Sequence, residues 1–394
     1  MNQVYIISAV RTPIGKFGGS LSSLKANELG VLSAKDAIRR AGLVPEQIDE
    51  SIFGCARQAG IGPNIARQIA FNSGVPSSKP AYTINKACGS GLKAIINGYT
   101  SIVLGDNELV LAGGVESMSN IPYLLMQARW GYRMGHGEII DSNHLDGYFC
   151  PMADKLMGAT AEELAQKYGI SRQEQDAYAV ESQHRAEAAI KNGKLKDEIV
   201  PIELTSKKGI TVIDQDEHPR FGTTLDDLKK LKPVFKKDGT ITAGSSSGVT
   251  DASSSIILAG GNAVKELGLK PLAKIVAYSS AGVDPHDMGI APVPAVRTLL
   301  EKTKLKLSDI DLIELNEAFA AQVLACDRDL KFERAKLNVN GGAIALGHPT
   351  GCTGARITTT LVHEMIKRDS RLGLATLCIS GGLGLALLIE RENK

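Results

Sequence analysis

Lys86-Ala87-Cys88-Gly89-Ser90-Gly91-Leu92-Lys93-Ala94 joins two segments of opposite character. Before it, Ala81-Tyr82-Thr83-Ile84-Asn85 alternates as a strand does. After it, Leu92, Ile95, Ile96, Tyr99, Ile102 and Val103 recur at helical period, and the pattern stops at Gly105. A cysteine in the first turn of a helix meets the positive end of the peptide dipoles, which predicts a lowered thiol pKa. The two glycines, lacking Cβ atoms, would let a thioester come close. A strand ending in a tight turn that presents one nucleophile at a helix N-terminus suits acyl transfer. The plainer reading is a buried, inert cysteine packed behind a turn. The rest of the chain has to decide between them.

Upstream, Val4 to Val10 reads as a buried strand closed by Arg11-Thr12-Pro13 and by glycines at 15, 18 and 19. Glu28 to Arg40 is helical in period, with Gly42 where a C-cap belongs. Ile52 to Cys55 reads as a short strand, and Ile65 to Phe71 as a helix ended by Gly74 and Pro76. Downstream, Leu109 to Ala112 is a strand running into Gly113-Gly114. Strands alternating with helices predict an α/β sheet covered on both faces.

From about Met118 to Gly244 that alternation stops, and Tyr123, Trp130, Tyr132 and the Lys207-Lys208 and Lys229-Lys230 pairs mix without period. One helix stands out, opened by the capping box Ser171-Arg172-Gln173-Glu174. The stretch reads as an excursion that covers a site, holds a bulky ligand or contacts another copy. The α/β pattern resumes after Gly244-Ser245-Ser246-Ser247-Gly248-Val249-Thr250-Asp251, and the second half echoes the first. Ile48 to Gly54 parallels Ile310 to Asn316, and Gly89 to Lys93 parallels Cys352 to Arg356. Such an echo predicts duplicated halves with a site contributed by both.

At 394 residues the chain can bury a large core, and its 43% hydrophobic content and 41 glycines fit a turn-rich α/β protein. A formal net charge of +2 gives no electrostatic case for nucleic acid as a partner. Six cysteines with no CxxC pair and no Cys/His metal spacing argue for a reducing compartment and no metal. Met1 to Ile7 lacks a basic leader region, and no apolar run approaches membrane-spanning length, so the expected setting is the cytoplasm. Glycines 15 to 19 do not have dinucleotide-binding spacing.

Three stretches belong with Cys88. Asn316-Glu317-Ala318-Phe319-Ala320-Ala321-Gln322 places an amide and a carboxylate just after a strand. Asn340-Gly341-Gly342-Ala343-Ile344-Ala345-Leu346-Gly347-His348-Pro349 holds a histidine in a loop too rich in glycine for ordinary core. Leu377-Cys378-Ile379-Ser380-Gly381-Gly382-Leu383-Gly384 ends a strand in a second cysteine. Together they supply a nucleophile, a base, an amide for a water or an oxyanion, and a second acid/base. Cys55, Cys150, Cys326 and Cys352, and the histidines at 136, 144, 184, 218, 286 and 363, have no such context and carry no predicted role. Lysines 229, 230, 236 and 237 could favour phosphates or simply form a solvated face.

These motifs, with Arg11-Thr12-Pro13 and Gly113 through Ser119, resemble the thiolase family in its biosynthetic acetyl-CoA C-acetyltransferase type, over essentially the whole chain. The resemblance implies duplicated α/β halves with layered helices and mixed sheets, plus an inserted loop domain. Residues 1–117, completed by 245–268, would form the N-terminal half, 118–244 the loop domain, and 269–394 the C-terminal half. Cys88 would carry the acyl group, His348 accept its proton, Cys378 act as the second acid/base, and Asn316 hold a water. The backbone N–H groups of Cys88 and Ser380 would face an oxyanion. Coenzyme A and acyl-CoA would be substrates, with no tightly bound cofactor. Arg220 would lie near the adenine, Phe235 and Met288 along the path, Ser247 on the pantetheine amide, and Met157 and Phe319 near the acyl end. A homotetramer or homodimer is implied.

Four departures from the family pattern stand out. Ser380 replaces a glycine and would be strained if its φ were positive. Residues 244–251 lose two amides but keep Ser247, Leu156 replaces a histidine before Met157-Gly158, and Ala291 replaces a glycine. Three readings follow: a short-chain acetoacetyl-CoA thiolase, a longer-chain 3-ketoacyl-CoA thiolase of fatty-acid degradation, and a non-catalytic acyl-CoA binder on the same scaffold.

Overall fold

The computed structural model describes residues 3–392 apart from position 208. Met1 and Asn2, and Lys208 of the Lys207-Lys208 pair, therefore lie outside the described residues.

The strands predicted before and after Cys88 enter one continuous sheet. Its order, edge to edge, is Leu312–Leu315, Leu372–Ile379, Leu383–Arg391, Ala273–Gly282, Val4–Arg11, Thr250–Gly260, Leu109–Ser117, Glu50–Gly54 and Ala81–Ile84. The echo in the sequence is an echo in pairing. In the first half, Glu50–Gly54 runs parallel to Leu109–Ser117, which pairs antiparallel with Thr250–Gly260, and that with Val4–Arg11. In the second, Leu312–Leu315 runs parallel to Leu372–Ile379, then antiparallel to Leu383–Arg391 and Ala273–Gly282 follow. The halves join where Tyr5 pairs with Lys274 and Ile6 with Ala273. Burial on both faces makes the central strands read as continuous apolar runs rather than alternating ones.

The helix after Cys88, Ser90–Leu104, packs on its counterpart Thr350–Arg368. The latter is buried without interruption from Thr350 to Val362, as a helix between two layers must be. Two of its threonines satisfy their hydroxyls on the helix itself, Thr358 donating to the Gly354 carbonyl at 2.8 Å and Thr353 to Pro349 at 3.0 Å. Small residues bring these elements together. A Cβ at Gly354 would stand 2.2 Å from the Leu92 nitrogen, and one at Gly114 2.3 Å from the Gly351 oxygen. Gly89 and Gly91 serve the same purpose. Their added Cβ atoms would meet Ile379 Cδ1 at 2.4 Å and the Ala355 nitrogen at 2.9 Å. The expectation that these two glycines admit a thioester is therefore corrected: their missing side chains are filled by the other half of the chain.

Between Ser117 and Thr250 the chain leaves the sheet. It forms the helices Met157–Lys167 and Arg172–Lys191 and several two-stranded pieces. The capping box closes as expected, with Ser171 N–H on Glu174 Oε2 at 2.7 Å and Glu174 N–H on Ser171 Oγ at 3.2 Å. Glu317 ties this excursion to the second half. Its buried carboxylate accepts from Tyr178 and Ser182 hydroxyls at 2.7 Å, from Asn338 at 3.0 Å and from the Ile344 N–H at 3.1 Å.

Candidate active site

A cavity of about 340 Å³ lies where the two halves and the excursion meet. The first half brings Cys88, and the second brings His348, Cys378 and Ser380. The excursion adds Met157, Phe235 and Ser247, while Met288 and Phe319 are also in the wall. Nine of the predicted site residues thus share one space, although the chain separates Cys88 from Cys378 by almost three hundred positions.

Cys88 sits in a turn held by its neighbours. Ser90 Oγ accepts from the Lys86 N–H at 2.8 Å and donates to the Ala87 carbonyl at 2.6 Å, and Asn85 Oδ1 takes the Ala87 N–H at 3.0 Å. Ala87 is left at φ 44°, in the left-handed region that an alanine seldom enters. Strain of this kind persists where surrounding structure over-determines it, here immediately before the thiol.

The predicted lowering of the Cys88 pKa is not what the site produces. Burial raises the thiol above its ordinary value, because the dry surroundings disfavour the thiolate more than anything nearby favours it. Arg57 opposes this most strongly, followed by hydrogen bonds from the Ser380 and Cys88 backbone N–H groups; Glu116 pushes the other way. The two predicted oxyanion donors therefore already converge on the Cys88 sulfur. Ser380 is not strained, since its φ is not positive; the left-handed positions are Gly381 at 85° and Gly382 at 79°. The cost expected from replacing glycine at 380 does not arise.

Cys378 ends the strand Leu372–Ile379, and its thiol is pushed well above its ordinary value, first by burial and then by Cys88. His348 is held down to about 3, by burial and then by the Arg57 and Arg356 charges, so its imidazole is neutral. Its Nδ1 lies 2.7 Å from Thr353 Oγ1. Because that hydroxyl spends its one proton on Pro349, it accepts from Nδ1–H, which leaves Nε2 as the free acceptor.

Two predicted residues stand apart. Asn316 is buried at the end of Leu312–Leu315, two residues before Ala318, and is not in the cavity wall. Neither atom of its side-chain amide has a protein partner, the condition of a group that holds a water. Arg220 is exposed, outside the cavity, and its backbone N–H rests on Gln183 at 2.9 Å. Lys229 and Lys230 pair with Asp226 at 2.9 Å and Asp227 at 3.4 Å on a solvated face.

The wall also contains His144, Gly147 and Tyr148, which carried no sequence signal, together with Leu156 and Thr350. The first three ride on a π-helical turn, His144–Tyr148, a rare form that tends to mark functional sites but has no legible sequence pattern. Phe235 stands edge-to-face on Phe319 at 5.9 Å, over Gly158, where a Cβ would meet the Phe235 ring at 2.3 Å.

Comparison with known proteins places the chain in a family. The model of the thiolase N-terminal domain matches residues 4–262, and that of the thiolase C-terminal domain residues 269–391. The acetyl-CoA acetyltransferase of Syntrophomonas wolfei is 50% identical over 392 residues, 98% of this chain and 99% of that protein. That of Pseudomonas aeruginosa is 50% identical with full coverage of both. Among solved structures, the Bacillus anthracis acetyl-CoA acetyltransferase superposes with a TM-score of 0.97 at 47% identity, covering 100% of this chain and 99% of the other. Human mitochondrial 3-ketoacyl-CoA thiolase in complex with CoA does so with 0.95 at 44%, covering 100% and 98%. On sequence and fold alike, this chain belongs to the thiolase family.

Proposed function

We infer that this acyltransferase is an acetyl-CoA C-acetyltransferase, joining two acetyl-CoA into acetoacetyl-CoA and free coenzyme A, reversibly. The observation that carries the reading is the meeting of two cysteines from opposite halves with one neutral imidazole in a single cavity.

In the first half-reaction Cys88 passes its proton to His348 Nε2 and its sulfur attacks the acetyl carbonyl. The oxyanion is met by the Cys88 and Ser380 N–H groups. As the C–S bond to coenzyme A breaks, Cys378 protonates the departing sulfur and becomes thiolate; a thiol that burial keeps protonated suits this donation. In the second, the Cys378 thiolate takes a methyl proton from a new acetyl-CoA. The carbanion attacks the acetyl group on Cys88, which leaves and recovers its proton from His348. Cys88 thus regains its own proton by way of His348, while Cys378 ends with the substrate's methyl proton, its original one having left on coenzyme A. A water on Asn316 would steady the enolate oxygen.

Coenzyme A would run along Ser247, Phe235, Met288, Met157 and Phe319, which line the wall, and Arg220, outside the cavity, would lie near the adenine. The proposed arrangement keeps two halves, residues 1–117 with 245–268 and 269–394, around a loop domain of 118–244. A homotetramer or homodimer is supported by the exposed apolar side chains of Trp130, Met134 and Ile139 on the excursion. A cytoplasmic setting is supported by six unpaired cysteines. Among the described residues, no helix is long and apolar enough to cross a membrane.

Leu156 in the wall favours a second reading, a 3-ketoacyl-CoA thiolase for longer chains in fatty-acid degradation. Thiolysis of 3-ketoacyl-CoA substrates of increasing length separates the two. A rate highest on acetoacetyl-CoA is expected. A rate that holds or rises with length establishes the longer-chain reading, and coenzyme A binding without turnover establishes a binder instead.

A further inference from the structure

Arg57 is a buried cation that the thiolase reaction as described does not use. It is 2% exposed, on the loop after Glu50–Gly54, and its Nε and Nη2 have no hydrogen-bond partner. An arginine so placed costs desolvation energy and needs a reason. Its surroundings locate it. Nη1 donates to the Thr350 hydroxyl, the guanidinium lies 4.9 Å from the centre of the Tyr148 ring, and Gly147 presses on it so closely that a Cβ there would come within 2.3 Å of Nε and Nη2. Gly147, Tyr148 and Thr350 all line the cavity that holds Cys88 and His348. The charge therefore stands directly behind the wall.

Its nearest carboxylate does not neutralise it fully. Glu116 lies 3.9 Å from Nη1, and already accepts from the Cys55 thiol, the Ala56, Arg57 and Gly351 N–H groups and the Thr350 hydroxyl. Those donors spread the negative charge away from the guanidinium. The ionisable groups around Cys88 and its cavity are then Arg57, Glu116, His144, Tyr148, His348 and Cys378. Of these only Arg57 is a fixed cation.

We propose that Arg57 is a positioning residue of this reaction: its caged guanidinium supplies the positive charge that lets the Cys88 sulfur carry negative charge in a dry cavity. After burial, the same charge also helps hold the His348 imidazole in its neutral form. A second role follows from the cage, since Gly147 and Tyr148 belong to the excursion. The charge is in place only when that wall is folded against the first half.

The inference rests on Cys88 being the acylated residue, and the experiment separates the two claims. The intact enzyme is incubated with acetyl-CoA and the labelled peptide identified by mass spectrometry. Alkylation of Cys88 by iodoacetamide, which forms a thioether and releases iodide, is then followed against pH in the wild type and in Arg57→Met, Arg57→Lys and Gly147→Ala. In Arg57→Met alkylation at pH 7 should slow roughly ten-fold or more, with its midpoint moved to higher pH. Arg57→Lys should recover most of the rate. Gly147→Ala, which displaces the guanidinium without removing it, should move the midpoint the same way, and it serves if Arg57→Met does not fold. A midpoint that stays put in folded Arg57→Met or in Gly147→Ala overturns the proposal, whatever happens to stability. Acetyl found on another residue overturns both claims, whereas acetyl on Cys88 with an unmoved midpoint overturns this one alone.

Discussion

His348 Nδ1 lies 2.7 Å from the Thr353 hydroxyl, which in turn donates to the Pro349 carbonyl at 3.0 Å. This chain of two bonds fixes the imidazole tautomer without any charged partner. A carboxylate in Thr353's place would raise the imidazole pKa and work against a neutral base. Thr353→Val should therefore lower kcat by about ten-fold or more while KM for acetyl-CoA stays near wild type. Thr353→Ser should restore it. Equal rates in Thr353→Val and wild type would show that the hydroxyl does not set the tautomer.

The two cysteines should fail differently. Cys88→Ala should form no acyl-enzyme from acetyl-CoA. Cys378→Ala should still be acetylated on Cys88 but should not condense. The check is rapid-quench mass spectrometry of the acetylated peptide beside a condensation assay, and condensation by Cys378→Ala would place the base elsewhere.

Asn316 has both side-chain polar atoms buried and without a protein partner. Asn316→Ala should slow condensation by about a hundred-fold, the low end of the loss on removing one oxyanion donor. Cys88 acetylation should change much less. Comparable losses in both half-reactions would mean that the amide organises the site as a whole.

Burial makes the folded protein sensitive to acid at His348. Its folded value of about 3 lies below the ordinary 6.5, so between these pH values the unfolded chain binds a proton that the folded chain does not. Stability from this residue is complete above pH 6.5 and declines as pH falls, by about 1.4 kcal/mol per pH unit. Urea unfolding between pH 7 and 4 should show a shallower decline in His348→Asn. Parallel curves would assign the acid sensitivity to other groups.

The contact between the paired helices leaves no room for a methyl group at position 354. A Cβ there would stand 2.2 Å from the Leu92 backbone nitrogen, which cannot rotate away. Gly354→Ala should cost about 3 kcal/mol, read as a lowered urea midpoint, because overpacking against backbone relaxes poorly. The substitution Gly18→Ala offers a contrast, since nothing lies within 4 Å and only its φ of 65° opposes the change.

Much of this was legible in the chain. The strand, turn and helix around Cys88 follow from residue period and glycine placement, and the capping box at Ser171 closes as read. The duplicated order of elements also reappears as duplicated strand pairing. What could not be read was anything set by neighbours distant in sequence. Nothing around His144, Tyr148 or Arg57 distinguishes them from surface residues, because their roles come from a π-helical turn folded against another half. The electrostatics of Cys88 were misread for the same reason. The helix dipole is a local effect, while burial by the second half is not, and burial wins.

The sequence by itself therefore determined the family, the paired halves, and the cysteines and histidine that meet in the cavity, since each rests on local pattern and motif. The tertiary structure alone decided the protonation tendencies of those groups, the ease of Ser380 at its position, and the presence of a guanidinium behind the wall. These depend on which atoms exclude water from which, and that is settled only when the two halves close on each other.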